Sequence, residues 1–316
     1  MFGHDKIVNF FDRVILGDAL AHAYIISGPK GVGKKKIANW IAGRVLSLEK
    51  IQKIDKEEFV IHSDLIRVKK DEDKKNISIE QIRNLRNRVK RSSFEGGFRV
   101  NVIEDIELMT QEAANALLKT LEEPGIKNLF LLLTSQVKQI PDTIKSRCQI
   151  VSMTRHTKEK LREILVVEGI KKSEQAIDLA RGLPVLAIEL ALDEEFLLRK
   201  KSEAKELFRV LESRVSERFF ILDGLFEKKV DIDKKNVNIL SHLNTWSEVV
   251  RDMALYNLGL KERMTHKWAE KDIEKQVKFL NIKKVFKLQE ALQITLKDMV
   301  SNVNTKLSLS NTFLSI

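Results

Sequence analysis

The hydrophobic positions change their period along the chain. In the first half, short continuous apolar runs alternate with stretches at helical spacing. Residues 24–27 (YIIS) run straight into a glycine-rich turn, residues 100–103 (VNVI) end on Glu104-Asp105, and residues 129–134 read LFLLLT. Runs this short, bounded by turn residues, predict buried strands. Between them, residues 35–48 set Ile37, Ile41, Val45 and Leu48 on one helical face. Residues 110–123 do the same with Ala114, Leu117, Leu118 and Leu121, with Thr110 placed to cap the start and Pro124-Gly125 to stop the end. Strands alternating with helices predict an α/β core with a parallel sheet covered on both faces. Ligands of such sheets sit at the carboxyl ends of the strands, where the glycine-rich turn and Glu104-Asp105 fall.

After about residue 155 the strand signal fades. Residues 157–169, 173–181 and 185–191 predict three short helices, and longer helical patterns such as 201–217 and 284–300 fill the remainder. The expected domains are a core over 1–155, a small helical module over 156–200 and an all-helical domain over 201–316. No internal repeat and no low-complexity linker interrupts them, and the charged segment 69–75 (KKDEDKK) predicts an exposed turn.

Composition narrows the picture. A chain of 316 residues is expected to form two or three domains. No apolar run approaches the roughly 20 residues that span a bilayer, and the charged start lacks a signal-peptide stretch, so the expectation is a soluble cytoplasmic protein without membrane contact. A single cysteine, Cys148, excludes an internal disulfide and a cysteine zinc cluster. The net charge of +11 favours an anionic partner, nucleic acid being the usual one, although a lysine-rich chain also follows from an AT-rich genome.

The chemistry concentrates in residues 27–38, SGPKGVGKKKIA. Gly28, Gly33 and Lys34 fit the phosphate-binding pattern G-x-x-x-x-G-K-[ST], with Gly31 also inside the turn, but Lys35 stands where a Ser or Thr hydroxyl ligates Mg²⁺. An ammonium has donors only and repels the metal, though it can contact phosphate itself. The expectation is weak, metal-independent binding of ATP or ADP, or none. The acidic pair of such a site runs Asp then Glu, at the end of a neighbouring strand. Here Glu104 and Asp105 exchange the two lengths, which would misplace both metal and water; they also read as ordinary strand-end acids.

Four stretches taken together are specific: HAYIISGPKGVGK (22–34), HSDL (62–65), TQEAANALLKTLEEP (110–124) and PDTIKSRCQ (141–149), with NVNTKLSLSNTFL (302–314) near the end. With them the chain resembles, over its whole length, the delta-prime family of AAA+ clamp-loader subunits of the bacterial DNA polymerase III holoenzyme. The resemblance implies an AAA+ core, a three-helix lid and a C-terminal helical collar. It implies that Arg147, in Ser146-Arg147-Cys148, acts as an arginine finger on the ATP of a neighbouring gamma/tau motor subunit. Cys148 is expected to be a packed hydrophobe. The implied partners are gamma/tau, the delta subunit, the sliding clamp and primer–template DNA.

Departures from the family pattern carry equal weight. Many members hold zinc through four cysteines, and residues 43–63 contain none, so zinc is not expected. Motor subunits start the last lid helix with a nucleotide-sensing arginine, absent from residues 182–186 (GLPVL). Thr134 and Ser135 occupy the place where motors sense the terminal phosphate. Residues 80–91 carry Ile82, Leu85 and Val89 on one face and Arg83, Arg86 and Lys90 on another, a stripe that suits a phosphate backbone or a solvated face. The leading expectation is a non-motor stator with its own ATPase absent; the alternatives are an active AAA+ ATPase, either a gamma/tau-like motor or a helicase loader, and a stand-alone nucleic-acid-binding protein.

Overall fold

The computed structural model describes residues 3–47, 52–54, 57–59, 62–91, 93–94, 96–171, 173–227, 232–300 and 305–314. Two compact units divide the chain: one runs to Ile164 and takes in Gly182–Val185, and the other comprises Leu165–Arg181 and Leu186–Ile316.

The first unit contains α1 (Asp5–Leu16), β1 (Ala23–Ser27), α2 (Lys34–Val45), the two-stranded hairpin β2 (Gln52–Ile54) and β3 (Glu57–Phe59), and β4 (Leu65–Val68). It continues through α3 (Ile79–Val89), β5 (Arg99–Ile103), α4 (Gln111–Glu122), β6 (Asn128–Thr134), α5 (Asp142–Lys145) and β7 (Gln149–Ser152). Its five-stranded sheet has the order β4-β5-β6-β1-β7, with every pairing parallel. The two-residue period of the strands sorts their side chains between two cores. Tyr24 and Ile26, Val100 and Val102, and Leu129, Leu131 and Leu133 pack on one face with Phe11, Ile37 and Ile41 from α1 and α2. Ala23 and Ile25, Ile103, and Phe130 and Leu132 pack on the other with Ile82, Leu85, Leu117 and Leu121 from α3 and α4. Burial on both faces is why these strands read as continuous apolar runs.

The expected elements recur with adjusted ends. The helix expected over 35–48 spans Lys34–Val45, and Leu48 lies outside the described residues. Thr110 caps α4, its hydroxyl accepting the Ala113 N–H at 3.2 Å. One expectation needs correction: the strand carrying the acidic pair does not neighbour the strand that leads into the glycine-rich turn. β6 lies between them, so its own carboxyl end, Thr134-Ser135, stands between the two halves of the site.

Helix α6 (Lys158–Val167) leads out of the first unit. The second holds α7 (Glu174–Ala180), most of α8 (Pro184–Leu192), α9 (Glu194–Glu212), α10 (Val215–Glu227), α11 (Ile232–Asn257), α12 (Glu270–Phe279), α13 (Ile282–Val300) and α14 (Thr305–Leu314). The pattern read as one helix over 201–217 is two, broken at Ser213, whose extended backbone ends α9. Ala176, Leu179 and Leu190 form a small core with Phe196 and Leu197. A larger one surrounds Trp246, with Leu207, Leu243, Val249, Leu288 and Leu292. Glu203, 1% exposed, is held there: its carboxylate accepts from Ser241 at 2.6 Å, Thr245 at 2.5 Å and Lys200 at 3.1 Å. Among the described residues no helix is long and apolar enough to cross a membrane.

Candidate functional site

The turn between β1 and α2 keeps a phosphate-loop backbone. Gly33 stands at the N-cap of α2 with φ 102°, a left-handed value that strains any other L-residue. Gly28 is required for space: a Cβ there would lie 2.7 Å from the Met153 carbonyl oxygen. What a ligand would contact is engaged within the chain. The Lys34 ammonium donates to the carbonyls of Gly28 at 2.7 Å and Pro29 at 3.2 Å. Burial pushes it below the ordinary lysine value, against the pull of Asp105 and Glu107. The Gly31 carbonyl accepts the Val185 N–H at 3.2 Å, and the Val32 carbonyl accepts from His4 Nε2 at 3.0 Å. A carbonyl only accepts, so His4 Nε2 carries the proton; His156 Nε2, 3.1 Å from it, is then the unprotonated partner.

Lys35 meets the acidic pair directly. Its ammonium lies 2.7 Å from Glu104 Oε2, and the Glu104 side chain is only 10% exposed. Asp105 is more exposed and sits at φ 48°, turning the chain into a short 3₁₀ segment, Ile106–Leu108. That turn returns a third carboxylate, Glu107, to the strand ends. Glu107 Oε1 accepts the Ser135 backbone N–H at 3.0 Å and its hydroxyl at 2.5 Å. Burial alone would raise the Glu107 carboxyl, but hydrogen bonds from Ser135 and Thr134 outweigh it and hold it below the usual range. Thr134 is fully buried, its carbonyl accepting the Gly28 N–H at 3.1 Å. The structure thus gathers Gly28, Gly31, Gly33, Lys34, Lys35, Glu104, Asp105, Thr134 and Ser135 at one end of the sheet. Sequence reasoning misses Glu107. Its signal is an acid two residues beyond the pair, in a turn tight enough to bring it back.

Arg147 lies apart from this cluster, just before the edge strand β7. Its guanidinium donates to the Thr143 carbonyl at 3.0 Å, Ser146 Oγ at 3.3 Å and Glu122 Oε1 at 2.8 Å. Cys148 packs beneath it against the α3–α4 core, and burial raises its thiol to about 12. The basic stripe on α3 is altered in one member. Arg83 and Lys90 are exposed, but Arg86 is half-buried with its Nε in the interior, because it lies one turn from both Ile82 and Val89 at the border of the apolar face. Arg88, outside the expected stripe, is also exposed. Its carbonyl accepts from Arg99, whose guanidinium also reaches Asp64 at 3.0 Å and the Arg91 carbonyl at 2.7 Å, closing the end of α3.

A parallel sheet of this order, with a glycine-rich turn after β1, an acid after β5 and a polar residue after β6, defines an AAA+-type P-loop fold. The comparisons place it more closely. A family model described as DNA polymerase III, delta subunit, matches residues 3–157. DNA polymerase III subunit delta' of Bacillus subtilis is 25% identical over 276 residues, 83% of this chain and 80% of the relative. Subunit delta' of Pseudomonas aeruginosa is 32% identical over 182 residues, 54% and 56% of the two chains. Subunit tau of Bacillus subtilis is 28% identical over 188 residues, and the match spans 33% of that protein. A solved gamma subunit-related protein of Thermotoga maritima shares 20% identity with a TM-score of 0.49, over 96% of this chain and 97% of the other. Over residues 3–157 the chain matches the DNA polymerase III subunit family, and it is similar to clamp-loader subunits of that polymerase.

Proposed function

We propose that the chain is a delta-prime-type, non-motor subunit of a DNA polymerase III clamp loader. It acts as a stator that helps place the sliding clamp on primed DNA, beside gamma/tau motor subunits and a delta subunit. Its role in hydrolysis is to present Arg147 in trans to a neighbour's nucleotide. The observation that carries this reading is the 2.7 Å contact between Lys35 and Glu104. Mg²⁺ takes oxygen ligands. Here the position that would offer an oxygen offers an ammonium, and that ammonium engages the acid that would hold the metal. The donor set therefore does not fit Mg²⁺, and Lys34, turned onto its own loop, is not set for a phosphate. Arg147, by contrast, is a half-buried guanidinium in a fixed position, suited to a partner's phosphate oxygen.

The test is ATP hydrolysis by the reconstituted loader with clamp and primed DNA, comparing wild type with Arg147→Ala. The expected outcome is a silent isolated chain and a steep loss on Arg147→Ala, up to the roughly 10³–10⁵ that such fingers contribute in rate. Turnover by the isolated chain, unaffected by Arg147→Ala in the assembly, would instead make it a motor.

A further inference from the structure

A finger stabilises a transition state only if its charge is already in place when the phosphoryl group moves. An arginine on a short exposed segment does not hold one rotamer by itself, so something must fix it. We propose that Glu122 is the positioning residue for Arg147, and that Ser146 completes the cradle. This inference rests on the reading of Arg147 given above.

Three contacts define the cradle. Glu122 Oε1 takes an N–H from one terminal nitrogen at 2.8 Å. The other terminal nitrogen donates to the Thr143 carbonyl at 3.0 Å and to Ser146 Oγ at 3.3 Å. Ser146 can accept because its own hydroxyl proton goes to the same Thr143 carbonyl, at 3.1 Å. The three contacts restrain the guanidinium from two different elements, the end of α4 and the α5 turn. A guanidinium carries five N–H donors. Two are left after these three bonds, enough for a bidentate contact with a phosphate oxygen pair.

The placement of Glu122 supports the assignment. It is the last residue of α4, followed by Glu123, where the helix dipole disfavours negative charge. Helix stability therefore does not account for a carboxylate here, whereas the facing guanidinium does. Glu122 is itself exposed and on this reading touches no nucleotide, so it acts through Arg147 alone.

The experiment is steady-state ATP hydrolysis by the reconstituted loader carrying Glu122→Ala, Glu122→Gln, Arg147→Ala or the Glu122→Ala/Arg147→Ala pair. Glu122→Ala is expected to lower kcat by about three- to thirtyfold through loss of orientation, with KM for ATP unchanged. Glu122→Gln keeps an acceptor oxygen and is expected to retain most of the rate. In the Arg147→Ala background Glu122→Ala should cost nothing more, since the two act as one unit. An unchanged kcat in Glu122→Ala, or an equal loss with and without Arg147, overturns the positioning role while leaving the finger intact. An Arg147→Ala loader at full rate overturns the finger and this inference together. Thermal melts of the single variants check that each folds.

Discussion

Lys35→Thr tests the central contact most directly. It restores the hydroxyl that the phosphate-loop pattern calls for and releases Glu104. The charges lie 2.7 Å apart, with the Lys35 side chain 58% exposed and the Glu104 side chain 10% exposed. At an effective dielectric near 20 the gross attraction is roughly 4–6 kcal/mol, most of it offset by desolvation and by ordering the lysine stem. Exposed pairs retain about 0.2–1 kcal/mol net, while breaking a fully buried pair costs about 3–5 kcal/mol. With one partner buried and one wet, the pair should be worth about 1–2 kcal/mol. A metal ion that must displace Lys35 then loses roughly five- to thirtyfold in affinity before electrostatic repulsion is counted. The assay is nucleotide titration of the isolated chain by calorimetry, in Mg²⁺ and in EDTA. Wild type should show no gain from Mg²⁺, and Lys35→Thr should bind at least about tenfold tighter with the metal than without it. Urea unfolding of Lys35→Met, Glu104→Gln and the double variant should return a coupling of about 1 kcal/mol. Mg²⁺-dependent binding by wild type, or identical titrations for wild type and Lys35→Thr, would refute the argument that this ammonium keeps the metal out.

Other outcomes follow from the same geometry. Gly28→Ala puts a methyl 2.7 Å from the Met153 carbonyl and should lower unfolding stability by about 1–3 kcal/mol in urea melts. Glu203→Ala removes the carboxylate acceptor of buried Thr245 and of half-buried Ser241 and Lys200 and should cost about 3–5 kcal/mol. Burial would raise the Glu203 carboxyl, but Lys200 and the two hydroxyls hold it below the usual range. Its contribution is therefore full above the unfolded carboxyl value, about 4.3, and is lost as pH falls through the lower folded value, which acid titration of wild type against Glu203→Gln reads directly. The Cys148 thiol, raised from 9.0 to about 12, should alkylate roughly a thousandfold more slowly at pH 8 than an unperturbed cysteine. Arg83→Ala/Lys90→Ala should reduce the salt slope of loader binding to primed DNA by about 0.9 for each phosphate that is no longer neutralised, without changing sequence preference.

The fold is legible in the sequence because its strands are buried on both faces and its helices are amphipathic. Leu129, Leu131 and Leu133 pack on one side of the sheet and Phe130 and Leu132 on the other, so one apolar run serves two cores. The glycine turn and the acids are legible as residue types, but their partners are not. That Lys35 closes on Glu104 depends on strand order, and the interposed β6 cannot be read from spacing. Glu107 escapes the pattern because a 3₁₀ turn brings it back to Ser135, a geometry that leaves no periodic trace. Arg86 stands four residues after Ile82 and three before Val89, so helical count puts it at the border of the apolar face, and its Nε is buried there.

With lysine at position 35 where the pattern has a metal-binding hydroxyl, the loop still carries Gly28, Gly31, Gly33 and Lys34. The contacts supply a physical reason. Gly28 N–H bonds the Thr134 carbonyl, the Gly31 carbonyl takes the Val185 N–H, the Val32 carbonyl takes His4, and Lys34 satisfies the Gly28 and Pro29 carbonyls. Each of these groups is a polar atom that burial would penalise if unpaired. Together they tie the β6 end, the start of α8 and the segment before α1 to one turn. The same backbone that cradles phosphate in a working loop here serves as a joint within its own unit. Joint and cradle make opposite demands. A cradle must leave Lys34 and the loop available to a ligand, whereas a joint gains by engaging them. On the proposed reading, a chain that holds Arg147 steady for a neighbour gains nothing from a loop that opens and closes with nucleotide, so a lysine at position 35 and glycines at 28, 31 and 33 would serve one requirement.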